Sequence, residues 1–278
     1  MDFVKYDENI EKMYNENGDD NMDLKYLFDE AVLNYDKRRP NYGTELFKDV
    51  IKYAEITMDK SLLEVGCGTG QATEPFLKTN CKVTAVELGE NLASYTREKF
   101  KIYENFNVVQ SAFEDYECDD SKFDMLYSAT AFHWIPEEVG YKKAYRIIKS
   151  GGTIALFWNR PSPNHKDNPV HLKIQSIYRE ILPQWSDKIT NTQVRPKYSS
   201  INKIEQYGFV NVEVKEYHNT RKMTGIEYIE LLNTYSDHIA LEESIKSLLY
   251  HRVRTAIEEL GNEIIINDTV ELYLAKKP

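Results

Sequence analysis

The chain has 278 residues, 41% of them hydrophobic, and a formal net charge of -10. That is long enough to bury a sizeable core, and the acidic balance argues against general affinity for the phosphate backbone of nucleic acid. No apolar run approaches the ~20 residues of a membrane span, the N-terminus "MDFVKYDENIEK" has no basic-then-apolar leader, and Cys67, Cys81 and Cys118 form no CxxC pair, which argues against a disulfide framework or zinc site and for a reducing cytoplasm.

Taken in chain order, residues 1–23 read as a polar, acidic arm and 24–278 as one domain. Apolar positions at Leu24, Leu27, Phe28, Ala31, Val32 and Tyr35 follow the 3–4 spacing of a helix with one buried face. Pro40 disfavours helix just before it, so this helix stops near "RRPNYG". Leu46, Phe47, Val50, Ile51 and Ala54 make the stripe of a second helix.

The pattern then changes to short apolar segments at 62–65, 82–87, 106–110, 123–128 and 153–158, separated by helical stretches. Such alternation predicts crossover units and a mostly parallel α/β sheet covered on both faces. Strand candidates follow at 209–217 and 268–275. The stretches 160–205 and 219–262 read as a helical cover, with Ile245, Leu248, Leu249, Val253, Ala256, Ile257 and Leu260 at helical spacing.

Ligands of open parallel sheets bind outside the carboxyl ends of the strands. Behind the first strand stands "LLEVGCGTG", with glycines at 66, 68 and 70 and an acid, Glu64, ahead of them. The dinucleotide fingerprint GxGxxG is absent. Glu64 would repel phosphates and attract a cation, so the loop suits a ligand with a charged amine. Glu87 ends the second strand, where an acid accepts hydrogen bonds from ribose hydroxyls in nucleoside-binding sheets of this type. Read alone, Glu87 has a weaker competing reading as a solvated strand end.

These residues resemble a class I S-adenosylmethionine (SAM)-dependent methyltransferase. "LLEVGCGTG" matches that family's first motif, "VTAVEL" its second, and "VVQSAFEDYECDDSKFDMLYSATAFHWI" and "IIKSGGTIALF" its later strands. "FDEAVLNYDKRRPNYGTELF", "SATAFHWI", "LFWNRP" and "LLNTYSD" are similar to the branch of trans-aconitate methyltransferase-like, small-molecule enzymes. The resemblance implies a Rossmann-like, seven-stranded sheet with an antiparallel last strand and SAM as cofactor; no metal is expected, since the cysteines show no metal-site spacing.

It also implies roles. Glu64 and the backbone of Gly66, Cys67, Gly68 and Gly70 would hold the methionine part of SAM. Glu87 would bind the ribose, and Leu88 would pack on the adenine between Ala112 and Phe113. Relatives often carry an acid where this chain has Ser111, so Ser111, a backbone carbonyl or Glu114 must meet the adenine amino group. Ala129 would approach the sulfonium, and Tyr35, Arg39 and Tyr42 would close over the cofactor.

A sulfonium-activated methyl group transfers by in-line displacement, so positioning carries most of the catalysis and a base is needed only for a protonated acceptor. His133 is the candidate base; its competing role is to hold Trp134 in place. Trp158 and Arg160 end the fifth strand toward the acceptor. Arg160, Arg195 and Arg221 favour an acidic acceptor, because arginine pairs bidentately with carboxylates. Two rival readings stand beside this one: a SAM-binding regulatory protein without catalysis, and a nicotinamide-dependent oxidoreductase.

Overall fold

In β1 (Ser61–Val65) Leu62, Leu63, Glu64 and Val65 are all buried, as expected of a strand covered on both faces. The computed structural model describes residues 32–162, 168–185 and 197–278. The acidic arm, the helical positions Leu24 to Ala31, and Arg195 lie outside them.

Seven strands form one sheet in the order β3-β2-β1-β4-β5-β7-β6. They are β2 (Lys82–Glu87), β3 (Phe106–Gln110), β4 (Phe123–Ala129), β5 (Ile148–Ser162), β6 (Val210–Met223) and β7 (Ile264–Lys276). β1 pairs in parallel with β2 and β4, β2 with β3, and β4 with β5. The last strand is antiparallel. The order reverses between β1 and β4, which makes the carboxyl ends of these two strands the crevice where such sheets bind ligands.

The described residues divide into two compact units, one of 40–159, 197–217 and 270–278, the other of 32–39, 160–162, 168–185 and 218–269. In the first, alternation along the strands sends side chains to two cores. Leu62, Val83, Met125, Tyr127 and Phe157 pack with Leu46, Phe47 and Val50 of α2 (Thr44–Tyr53) and with Phe76 and Leu77 of α3 (Glu74–Leu77). Leu63, Val65, Leu126 and Leu156 pack with Tyr141, Ala144 and Ile147 of α5 (Glu137–Ile147) and with Ile204 of α7 (Lys197–Gln206). The remaining helix, α4 (Glu90–Lys99), buries Leu92, Ala93 and Thr96.

The second unit is mainly helical. Its core joins Ile174, Ile177 and Tyr178 of α6 (Pro169–Ile181), Tyr228, Leu231 and Leu232 of α8 (Gly225–Leu232), and Leu249, Val253, Ala256 and Ile257 of α10 (Glu243–Glu259). Leu248, expected on the buried stripe, is 50% exposed, since it lies about 100° around the helix from Leu249. Leu260, 44% exposed, has passed the end of the helix. The unit also holds α1 (Val32–Arg38) and the short α9 (Ser236–Ile239). Arg38 bonds Glu227 at 2.8 Å and Glu230 at 2.5 Å, fastening α1 to α8. Among the described residues, no helix is long and apolar enough to cross a membrane.

Candidate active site

The glycine loop turns directly off β1. Gly66 and Gly70 have φ of +70° and +85°, where side chains are disfavoured. A Cβ on Gly66 would lie 2.5 Å from that of Ala131, and one on Gly70 would strike the ring of Phe100. Both glycines are therefore demanded by the turn and its packing before any ligand is considered. The loop is also pinned from α4: Thr96 Oγ1 donates to Gly68 O at 2.6 Å and Lys99 Nζ to Thr69 O at 2.9 Å.

Beneath it, Glu64 is fully buried. Its Oε2 accepts hydrogen bonds from Thr73 Oγ1 at 2.6 Å and Tyr127 Oη at 2.9 Å, while its Oε1 is buried with no hydrogen-bond partner. Burial pushes the carboxyl up to about 7, with the nearby Glu87 charge adding to the rise and the two hydroxyl donors opposing it. A buried carboxylate oxygen without a donor is costly, and a cationic group would supply what is missing. The residues therefore fit the ammonium end of an amino-acid-bearing cofactor.

Glu87 is not a solvated strand end. It is 6% exposed, and its two carboxyl oxygens accept from Gly68 N at 2.8 Å and Gly89 N at 3.0 Å. It thus ties the glycine loop to the turn that starts α4. Leu88, Ser111, Ala112 and Ala129 are half-buried at the carboxyl ends of β2, β3 and β4. Ser111 Oγ bonds the adjacent Ala112 O at 2.8 Å, and Ser111 N donates to Glu87 O at 2.9 Å. Phe113 is 4% exposed and packs with Phe132, so the half-buried surface at this turn belongs to Ser111, Ala112 and Glu114. Lys143, which the sequence did not single out, donates to Glu114 O at 2.9 Å and braces the same turn.

At the end of β4 the chain passes through Thr130, whose φ is +53°. A β-branched residue in that region is an outlier, with a cost of about 1–3 kcal/mol. Tyr42 Oη lies 2.9 Å from Thr130 Oγ1, and its ring stands edge-on to Phe157 at 4.9 Å. His133 and Trp134 sit in a 3-10 turn, Phe132–Trp134, three residues further on. Trp158 Nε1 donates to His133 Nδ1 at 3.2 Å. An indole N–H can only donate, so Nδ1 carries no proton and the neutral ring holds its proton on Nε2. For His133 to act as a base through Nδ1, that bond must break. The His133 and Trp134 rings are 5.1 Å apart.

The second unit holds the remaining predicted residues. Tyr35 falls in α1. Arg39 donates to Thr234 O at 2.6 Å and lies over the Tyr235 ring at 4.7 Å. Arg160 is half-buried on β5. Arg221 is engaged with Asp268: Nε bonds Oδ2, and Nη2 bonds Oδ1 at 3.0 Å, with Asp268 2% exposed. That buried pair removes Arg221 from the arginines that pointed to an acidic acceptor. A buried chain of Tyr178, His238 and Asp237 also occurs here, with Tyr178 Oη 2.7 Å from His238 Nε2 and His238 Nδ1 2.8 Å from Asp237 Oδ1. His238 is 0% exposed and ringed by Tyr178, Trp185, Tyr235 and Tyr250, an arrangement of packing rather than of access.

Residues 63–156, the glycine loop through β5, match the family described as methyltransferase domain. The chain carries a SAM-dependent methyltransferase domain. It is 25% identical over 244 residues to an uncharacterised methyltransferase-like protein of Schizosaccharomyces pombe, covering 87% of this chain and 88% of the relative. A second S. pombe methyltransferase is 21% identical over 241 residues, covering 80% of this chain and 88% of its own. Among solved structures, phosphoethanolamine N-methyltransferase 2 of Haemonchus contortus with bound SAM has a similar fold, with a TM-score of 0.55 at 14% identity, covering 90% of this chain and 57% of that one.

Proposed function

We propose that the enzyme methylates a small-molecule acceptor that arrives already ionised, a carboxylate being the class best suited, as in the trans-aconitate methyltransferase-like branch. The observation that carries this reading is the Trp158 to His133 hydrogen bond. It supports a role for His133 as a donor through Nε2 over one as a base, and so an acceptor that needs no deprotonation by this ring. Of the three arginines behind the acidic-acceptor reading, Arg221 is bound to Asp268, Arg195 lies outside the described residues, and Arg160 stands on β5 two residues after Trp158.

When bound, SAM supplies a methyl group activated by its sulfonium. Glu64 holds the ammonium through Oε1. The loop from Gly66 through Cys67 and Gly68 to Gly70 offers bare backbone along the methionine part. Glu87 takes the ribose hydroxyls on lone pairs not used by Gly68 and Gly89. Leu88, Ser111 and Ala112 flank the adenine, with Phe113 as the buried support behind them. Ala129 and Tyr42 border the sulfonium end, and Trp134 and Trp158 supply apolar wall for the acceptor.

Calorimetry with SAM, its demethylated product and NAD tests the cofactor assignment. SAM and the product are expected to bind and NAD not; binding of NAD alone would overturn it. The acceptor reading is tested by turnover with a panel of small carboxylic acids, phenols and amines. For a carboxylate, the pH–rate profile of His133→Ala is expected to keep the wild-type shape. A wild-type limb near the ordinary imidazole value of ~6.5 that disappears in His133→Ala would show that a base is needed after all.

A further inference from the structure

Thr130 follows directly on β4, at the reversal of strand order, and six non-glycine residues with positive φ occur among the described residues: Glu55, Asn80, Ser121, Thr130, Asn211 and Asn262. Thr130 is the β-branched one, and branching at Cβ makes this conformation hardest to hold. Such a residue persists only where its surroundings over-determine it. Here its N–H donates to Phe157 O at 2.8 Å, and its Oγ1 accepts from Asn159 N at 3.1 Å and lies 2.9 Å from Tyr42 Oη. The next residue, Ala131, fills the space that Gly66 leaves by having no side chain. One strained residue thus joins the segment before α2, the glycine loop and the outgoing end of β5.

The backbone alone does not call for threonine. Glycine would take this φ without strain, and the side chain contributes little to a core at a half-buried position. What threonine adds is the hydroxyl, placed between Tyr42 and Asn159. We propose that Thr130 is a positioning residue for methyl transfer: it holds the Tyr42 phenol and the end of β5 in register at the methyl-donor end of the cofactor site. This rests on the SAM assignment above and extends it to a residue that acts through Tyr42.

The test is a double-mutant cycle read by SAM binding in calorimetry, with melting temperatures alongside. Thr130→Gly and Thr130→Val are each expected to weaken SAM binding about tenfold, as is Tyr42→Phe, the scale of one lost hydrogen bond in a site. The double variant Tyr42→Phe, Thr130→Val should be no weaker than either single one, because contacting residues of one network do not add. Thr130→Ser, which keeps the hydroxyl, should stay within about threefold of wild type. Thr130→Gly should melt at or above the wild-type temperature, since its strain is relieved, so its weaker binding cannot come from misfolding. Wild-type affinity in Thr130→Gly, or losses that multiply in the double variant, would overturn the proposal alone. Wild-type protein that binds no SAM would sink the cofactor reading and the proposal with it.

Discussion

Glu64→Gln is expected to stabilise the ligand-free protein at pH 8 and at the same time to weaken SAM binding by about ten- to hundredfold, the equivalent of ~1.5–3 kcal/mol for a hydrogen bond to a charged group. The two effects have one cause. Burial lifts the folded-state carboxyl from 4.5 to about 7. Between those values the folded protein keeps a proton that the unfolded chain has released. Stability therefore falls as pH rises through that window and stays reduced above it, by on the order of 3 kcal/mol. Glutamine is neutral at every pH, and its carbonyl oxygen can still accept from Thr73 and Tyr127. It escapes the penalty but offers no charge to a cation. Wild-type SAM affinity should rise with pH up to about 7, where Glu64 ionises, and decline above about 8, where the ligand's own α-amino group loses its proton. The acidic limb should be missing in Glu64→Gln. Melting curves at pH 5 and pH 8 with calorimetry across the range supply the readout. A variant no more stable than wild type at pH 8 would overturn the raised carboxyl, and one that binds SAM as tightly would remove Glu64 from the cofactor site.

The first four strands were legible because their apolar runs are short and end at turn residues or acids. The observed β2 and β3 coincide with the predicted segments 82–87 and 106–110. The last three strands run longer than expected for reasons that periodicity does not register. β5 spans Ile148–Ser162 and includes Gly151, with φ of +76°, and Pro161, both of which read as boundaries. β6 continues to Met223 through the polar "HNTRK", which edge position permits, since an edge strand need not be apolar. β7 begins at Ile264, four residues ahead of the expected start at 268, and runs through the polar Asn267.

The site divides along the same line. Glu64 and Glu87 were visible as acids at the carboxyl ends of two strands that flank the run of glycines. Their partners were not. Tyr127 lies 63 residues from Glu64, Trp158 lies 25 from His133, and Asp268 lies 47 from Arg221. Each of these pairs bears on a chemical question: how far a buried carboxyl is lifted, whether a ring is basic, or whether an arginine is available. Each is set by strand order, which a single sequence does not spell out. Thr130 is hidden for another reason: threonine is a poor choice for a left-handed position, so local propensity points away from it.

Glu87→Ala is expected to weaken SAM binding by more than about hundredfold, beyond the ~1.5–3 kcal/mol of a single lost charged hydrogen bond. The side chain does two things at once. Its oxygens hold the amides of Gly68 and Gly89, and with them the shape of the glycine loop, and in the proposed reading the same carboxylate would also accept from the ribose hydroxyls. Removing the carboxylate leaves two amides without acceptors and loosens the loop beneath the methionine part as well. Glutamine is no substitute, because its amide nitrogen would set a donor against one of the two N–H groups. Glu87→Gln should therefore lose nearly as much as Glu87→Ala, whereas a side chain that only accepted from the ribose would lose less with glutamine than with alanine. SAM lacking a ribose hydroxyl separates the two functions. The wild-type protein should bind it more weakly than SAM, and Glu87→Ala should bind both equally. Should Glu87→Ala bind SAM within about threefold of wild type, far short of even one charged hydrogen bond, neither the loop-holding role nor the ribose contact would stand.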